Sequence, residues 1–268
     1  GDHYHDLEAA TDGALGPDPM AALHEPARLG ECSATLADRS PTGALADVVL
    51  GAPVPAPRNS YAIGLNYQQH ADESDMEAPE NPLVFTKFPS CIVGPTADVE
   101  MRSDMVDFEG ELVVVIGPGC HDIAVDDAWA HVVGLTVGKE ISDRPAQFMA
   151  TPPHFALGKS FDTFGPMGPV LVSTDAFDDP ADLRLQTWVN DELRQDDRTS
   201  KLLFDIPYLV SFLSHITTLQ TGDVIFTGTP EGIGFSQGKL LTDGDVITTT
   251  IEGIGTMVNT CRRVSDYR

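Results

Sequence analysis

The run Asp107-Phe108-Glu109-Gly110-Glu111 places three carboxylates at alternate positions just ahead of an apolar stretch, Leu112-Val-Val-Val-Ile116. On a strand, residues two apart project to the same face. Like charges that close repel unless a cation joins them, and the apolar residues that follow carry the strand into a core where carboxylates need compensation. A hard divalent ion with oxygen ligands supplies it; the competing reading is an exposed acidic strand end. Another carboxylate, Glu140, ends a second apolar run and neighbours Lys139, Asp143 and Arg144. It is either a further ligand or part of a surface charge cluster.

Three other segments carry chemistry. In Gly64-Leu-Asn-Tyr-Gln-Gln-His70-Ala-Asp-Glu73, His70 and Glu73 stand at i and i+3, on one side of a helical turn. A carboxylate beside an imidazole fixes its tautomer and strengthens it as a base; the alternative is an exposed helix start. Lys159 lies among apolar residues and glycines in Phe155-Ala-Leu-Gly-Lys-Ser-Phe-Asp-Thr-Phe-Gly165. In a chain with five lysines, a buried one suits an oxyanion, or it snorkels to the surface. The glycines of Thr227-Gly-Thr-Pro-Glu-Gly-Ile-Gly234 let the backbone approach a ligand, where N–H groups or Thr229 could hold a carboxylate. This loop has neither the Gly-Lys-Ser/Thr ending of a phosphate loop nor a dinucleotide fingerprint.

These side chains need elements to position them. Short strands are expected at 61–64, 83–86, 112–116, 132–137, 170–172, 224–226 and 246–251, most of them bounded by Gly, Pro or Asp. Helical signals are fewer. Asp18 and Pro19 open a short helix, acidic residues open another at 126–131, and 199–215 has helical spacing that Pro207 interrupts, so a short helix, a break and then another helix are expected there. Without βαβ alternation, a mostly-β α+β fold with peripheral short helices is expected. The alternating prolines of 51–57 read as a linker, so residues 1–58 form a small N-terminal region and 59–268 the main domain.

Composition sets further limits. Sixteen Lys and Arg stand against 41 Asp and Glu, a net charge of -25 over 268 residues. A phosphate backbone would be repelled, so no nucleic-acid partner is expected. No apolar run is long enough to span a bilayer as a helix, so no membrane partner is expected either. Cys32, Cys91, Cys120 and Cys261 are scattered without a CxxC pair, which reads as reduced thiols in a cytoplasmic protein.

Taken together, the motifs resemble the fumarylacetoacetate hydrolase family, in its branch of acylpyruvases and 2-hydroxyhepta-2,4-diene-1,7-dioate isomerases, from about residue 58 to the end. The resemblance rests on an NYxxHxxE segment (Asn66 to Glu73), FxKxPS (Phe85 to Ser90), the ExE pair (Glu109, Glu111), an acid 29 residues on (Glu140), GKSFDTFGPMGP, and TGTPxGxG. It implies a mixed β-roll, a homodimer, and Mg²⁺, Mn²⁺ or Ca²⁺ held by Glu109, Glu111 and Glu140. It further implies that His70 and Glu73 activate water and that Lys159 faces the reacting carbonyl. By the same resemblance, Arg144 and Gln147 contact the substrate's acid group or carbonyl oxygens, and Lys87, Ser90 and Thr229 line the same pocket. The family usually has Asp at the third ligand position, preceded by a neutral residue; here the pair is Lys139-Glu140. Glutamate reaches one methylene further, which Ca²⁺ tolerates more readily than Mg²⁺, and Lys139 is placed to compete for Glu140.

The reaction expected from these parts is metal-dependent hydrolysis of a carbon–carbon bond in a β-diketo acid such as an acylpyruvate. His70, oriented by Glu73, takes a proton from water; Lys159 stabilises the oxyanion; the metal takes the charge of the departing pyruvate enolate. Decarboxylation of oxaloacetate or isomerisation of an unsaturated dicarboxylic acid at the same site is the alternative chemistry. A ligand-binding homologue without catalysis is the alternative of another class.

Overall fold

In the computed structural model, which describes residues 2–36 and 38–265, the apolar runs pair into two main sheets. The larger has seven strands, in the order Leu83–Thr86, Ser60–Gly64, Val224–Phe226, Gly110–Ile116, Val132–Lys139, Gly165–Val172 and Ile92–Val93. Neighbours are antiparallel except at two places. Val224–Phe226 runs parallel to Ser60–Gly64, and Gly165–Val172 runs parallel to Ile92–Val93. The central strand explains its own sequence. Leu112, Val114 and Ile116 pack in one core cluster and Val113 and Val115 in another. Both faces are covered, so the strand reads as a continuous apolar run rather than an alternation.

The second sheet has five strands, ordered Glu192–Arg198, Arg184–Val189, Val246–Ile251, Gly255–Arg263 and Val99–Met101. Here burial alternates, as along Val246–Ile251, because one face meets water. The result is the mixed, mostly-β α+β architecture expected, with short helices at the periphery. The strands at 184–189, 192–198 and 255–263 were not expected from the sequence. Charged outward positions such as Arg184, Asp196 and Arg262 dilute their apolar pattern. Pro207 opens a helix instead of interrupting one. It lies in the first turn of Ile206–Ser214, capped by Asp205 accepting from the Tyr208 N–H at 2.9 Å, and the preceding turn is a separate 3₁₀ segment, Thr199–Lys201.

Asp18 caps the helix Pro19–Ala22 as its sequence suggests. Leu23 and Val54, from the N-terminal region, join one of the two core clusters. The four cysteines are free and buried. Among the described residues no helix is long and apolar enough to cross a membrane.

The fold also sorts the charges. Lys87, Lys139 and Lys159 are buried, whereas Lys201 and Lys239 are exposed and paired with Asp197 and Glu192. Three of the five lysines are thus withdrawn from a surface that carries most of the acid. Self-repulsion of that surface opposes folding, and salt screens it, with a Debye length of about 10 Å at 0.1 M falling to about 3 Å at 1 M. Raising KCl across that range is expected to raise the midpoint of thermal unfolding by several degrees, read by circular dichroism. A midpoint that stays level or falls would show that the surface charge is already compensated.

Candidate active site

Strand register brings the acids together. Glu111 lies opposite Gly138 and Gly110 opposite Lys139, and the Glu140 N–H donates to the Glu109 carbonyl at 2.8 Å. Residues 29 apart in sequence therefore sit at one strand end. Oxygens of Glu109, Glu111 and Glu140 all lie within 4.8 Å of one another, and all three residues are buried. Lys139 does not compete for Glu140. Successive residues on a strand point to opposite faces, and the Lys139 ammonium donates instead to the Ile247 carbonyl and Asn259 Oδ1, each at 2.7 Å. Asp107 also departs from expectation. Val106–Asp107 pairs separately with Ser142–Asp143, so the alternation does not run through Phe108 and Glu109, and Asp107 stays outside the acid cluster.

One loop orients three of the site's carboxylates. The Gly228 N–H donates to Glu111 Oε2 at 2.8 Å and the Gly232 N–H to Glu73 Oε2 at 3.0 Å. The Gly234 and Phe235 N–H groups donate to the two oxygens of Asp107, at 2.7 and 2.9 Å. The glycines are needed here. Gly228 and Gly232 have φ of +102° and +107°, and a Cβ on Gly232 would fall on the Arg194 carbonyl oxygen. The carboxylates this loop holds are the protein's own. Thr229 is committed within the fold: its hydroxyl donates to the Gly110 carbonyl at 2.9 Å and accepts from Gln195 Nε2 at 2.7 Å. Gln195 also accepts from the Gly110 N–H, so it ties the loop to the acidic strand. Nothing in the polar run 192–198 marks Gln195 in the sequence.

His70 and Glu73 lie on the helix Gln68–Glu73, with Nδ1 and Oε1 2.8 Å apart. Asn66 secures the chain before that helix by hydrogen bonds to the Phe204 backbone and the Thr227 carbonyl. Arg144 and Gln147 share one face of the helix Arg144–Gln147, which Asp143 caps. Arg144 Nη1 donates to Gln147 Oε1 at 2.7 Å, and Nη2 donates to Asp107 Oδ2 at 2.5 Å and Glu109 Oε1 at 3.0 Å. Lys159 follows the helix Phe155–Gly158, whose Gly158 packs against the Gln147 backbone. Its ammonium bridges Glu109 Oε2 and Glu140 Oε2, each at 2.7 Å.

These neighbours set the protonation states. Burial pushes the Glu109 carboxyl up, but Lys159 and Arg144 outweigh it and hold the group at about 2. Burial, with Glu140 and then Glu109 alongside, pushes Glu111 well above the usual carboxylate range. Burial lowers Lys159, yet Glu109 and Glu140 bring it above the ordinary lysine value, so it is charged at neutral pH.

A cavity of about 530 Å³ opens onto this assembly. His70, Glu73, Glu109, Arg144, Gln147, Lys159 and Thr229 line it, and no lining residue precedes Ile63 among the described residues. Glu111 and Glu140 are buried and do not line the cavity. Lys87 also lies outside the lining. Its ammonium donates to the Lys159 and Phe164 carbonyls and stands 3.6 Å from Glu140 Oε1. Ser90 is exposed in the 3₁₀ turn Pro89–Cys91 and, like Lys87, is not among the residues that line this cavity.

The acid cluster fits a hard divalent cation. Its donors are all carboxylate oxygens, and the buried Glu140 Oε1 has no hydrogen-bond partner. Once Glu111 ionises, four buried carboxylates (Asp107, Glu109, Glu111, Glu140) face three buried cations (Lys87, Arg144, Lys159), which leaves negative charge for such an ion to neutralise. Glu109 of the acid cluster, the His70–Glu73 pair and Lys159 thus share one cavity.

The chain belongs to the fumarylacetoacetate hydrolase family: residues 59–262 match the family model Fumarylacetoacetate (FAA) hydrolase C-terminal. It is 44% identical over 223 residues to the oxaloacetate tautomerase YisK of Bacillus subtilis, covering 80% of this chain and 73% of that one. Among solved structures, an HpcE-like protein from Mycobacterium smegmatis superposes with a TM-score of 0.92 at 40% identity, covering 99% of this chain and 95% of the other. Maleylpyruvate hydrolase from Sphingobium sp. SYK-6, solved with manganese(II) and pyruvate, superposes with a TM-score of 0.82 at 34% identity over 98% and 94%.

Proposed function

We propose that this protein hydrolyses acylpyruvates in a divalent-cation-dependent reaction, giving pyruvate and a carboxylic acid, and that it works as a homodimer. The observation that carries the reading is the His70–Glu73 pair on the same cavity as Lys159 and Glu109. With Nδ1 engaged by Glu73, itself held by the Gly232 N–H, the imidazole presents Nε2 as the base. That nitrogen takes a proton from water while the water oxygen adds to the acyl carbonyl. Lys159 offers a positive charge to the oxyanion that develops. The carbon–carbon bond then breaks, its electron pair passes to the pyruvate fragment, and the proton on His70 returns to that fragment's methylene carbon. Arg144 and Gln147 hold the acid end of the substrate. Glu109, Glu111 and Glu140 would hold Mg²⁺, Mn²⁺ or Ca²⁺, which supplies Lewis acidity toward the 2-oxo group.

The second reading is oxaloacetate tautomerisation, favoured by the identity to the Bacillus subtilis tautomerase. It uses the same base to move a proton and needs no water attack. One experiment separates the two: pyruvate release from acetylpyruvate and decay of enol oxaloacetate absorbance, each with Mn²⁺ or Mg²⁺ and with chelator. The expected result is chelator-sensitive pyruvate release that His70→Ala lowers by about 10²- to 10⁴-fold. Oxaloacetate turnover alone would establish the second reading, and activity in neither assay would remove both.

A further inference from the structure

The cavity has a polarity gradient opposite to that of an ordinary surface. Its floor is charged and buried: Glu109, Arg144, Gln147 and Lys159 are each 4% exposed and His70 is 7%. Its rim is apolar and open: Met76, Leu83, Phe148 and Phe235 are 47%, 37%, 47% and 46% exposed. The Phe148 and Phe235 rings stand 6.0 Å apart, and Phe235 also covers the Arg144 guanidinium, 5.6 Å from its centroid. A volume of about 530 Å³ falls in the range of roughly 300–1,000 Å³ that houses drug-sized ligands. It is far more than a three-carbon acid fills.

Charge sharpens the point. The lining lysine and arginine, Lys159 and Arg144, are both committed on the floor to Glu109, with Glu140 and Asp107 as their other partners. The charged lining residue nearest in sequence to the Met76 rim is Asp75, an acid. A second carboxylate at the outer end of a substrate would meet aromatic rings and like charge, with no lysine or arginine besides Arg144 and Lys159 of the floor among the described lining residues.

We infer that the substrate carries one acid end and an uncharged, apolar tail: a long aliphatic or aromatic acyl group that leaves the floor and lies against Met76, Leu83, Phe148 and Phe235. This rests on the proposal that the floor takes a 2-oxo acid, and it sets the chain apart from a hydrolase of maleylpyruvate, whose outer end is a second carboxylate.

The test is calorimetric binding of non-reacting 2-oxo acids to the Mn²⁺-loaded protein. 2-Oxohexanoate and 2-oxoadipate are matched in length and differ in a terminal methyl against a carboxylate. From 2-oxobutyrate to 2-oxooctanoate, affinity is expected to rise about fourfold per methylene, and 2-oxohexanoate is expected to bind at least tenfold tighter than 2-oxoadipate. Phe148→Arg, at a half-exposed position where folding is not at stake, is expected to reverse that preference. A flat series, or 2-oxoadipate binding as tightly as 2-oxohexanoate, would overturn the inference and leave the 2-oxo-acid floor intact. Failure of pyruvate, oxalate and every longer acid to bind would overturn both.

Discussion

Asp107→Asn is expected to destabilise the protein by about 3–5 kcal/mol, the range for removing one partner of a buried ion pair. Asp107 accepts from Arg144 through Nε and Nη2 and from the Gly234 and Phe235 N–H groups, with no exposed surface of its own. The substitution keeps the shape but removes the charge, so a buried guanidinium faces Glu109 alone. At about 2–4 °C per kcal/mol for a chain of this size, the melting midpoint is expected to fall by roughly 10 °C. The pair should also show in a double-mutant cycle: adding Arg144→Gln to Asp107→Asn is expected to cost much less than the sum of the single effects. Strict additivity, or a loss under about 1 kcal/mol, would mean that Asp107 does not hold Arg144 in solution.

The second large effect concerns Glu111. Burial and the neighbouring Glu140 and Glu109 raise its folded-state pKa well above the usual value. A raised carboxyl contributes stability that is fully present below the unfolded-state pKa and is lost as pH rises through the folded-state pKa. The cation-free protein is therefore expected to lose stability as pH rises from the ordinary carboxylate range through the raised pKa of Glu111. A divalent cation neutralises the same charge, so its stabilising effect is expected to grow with pH, reaching about 2.7 kcal/mol at one hundred times its Kd. Glu111→Gln removes the charge, and with it both the pH slope and the cation's effect. Thermal unfolding from pH 5 to 8, with chelator and with Mn²⁺, checks this. Identical slopes in the two proteins would show that Glu111 is not the titrating group.

Which parts of this site were legible in the sequence follows from how far each reading depended on local geometry. His70 and Glu73 were legible because i and i+3 on a helix fix their distance whatever the rest of the fold does. Glu109, Glu111 and Glu140 were legible as a set through family spacing, and strand register then supplied the physical reason. Asp107 was misplaced because period-two reasoning assumes an unbroken strand, and the chain leaves one sheet at Asp107 before entering the other at Gly110. Lys139 was misread for the opposite cause: neighbours in sequence were assumed to be neighbours in space, where the strand sends them to opposite faces. The glycine loop was recognised as a close-approach element, but its partners could not be read, since Glu73, Asp107 and Glu111 lie more than one hundred residues earlier in the chain. Gln195 was invisible because its role depends on that loop packing against Gly110.

Glu109, Glu111 and Glu140 are proposed to form one cation site beneath the His70 cavity. The most direct measurement is a Mn²⁺ titration at neutral pH followed by electron paramagnetic resonance, comparing the unaltered protein with Glu111→Gln. The expected result is one tightly bound Mn²⁺ per chain, weakened at least about 100-fold in the variant, with unchanged far-ultraviolet circular dichroism. Equal binding by the two proteins, or no tight site in the unaltered protein, would contradict it.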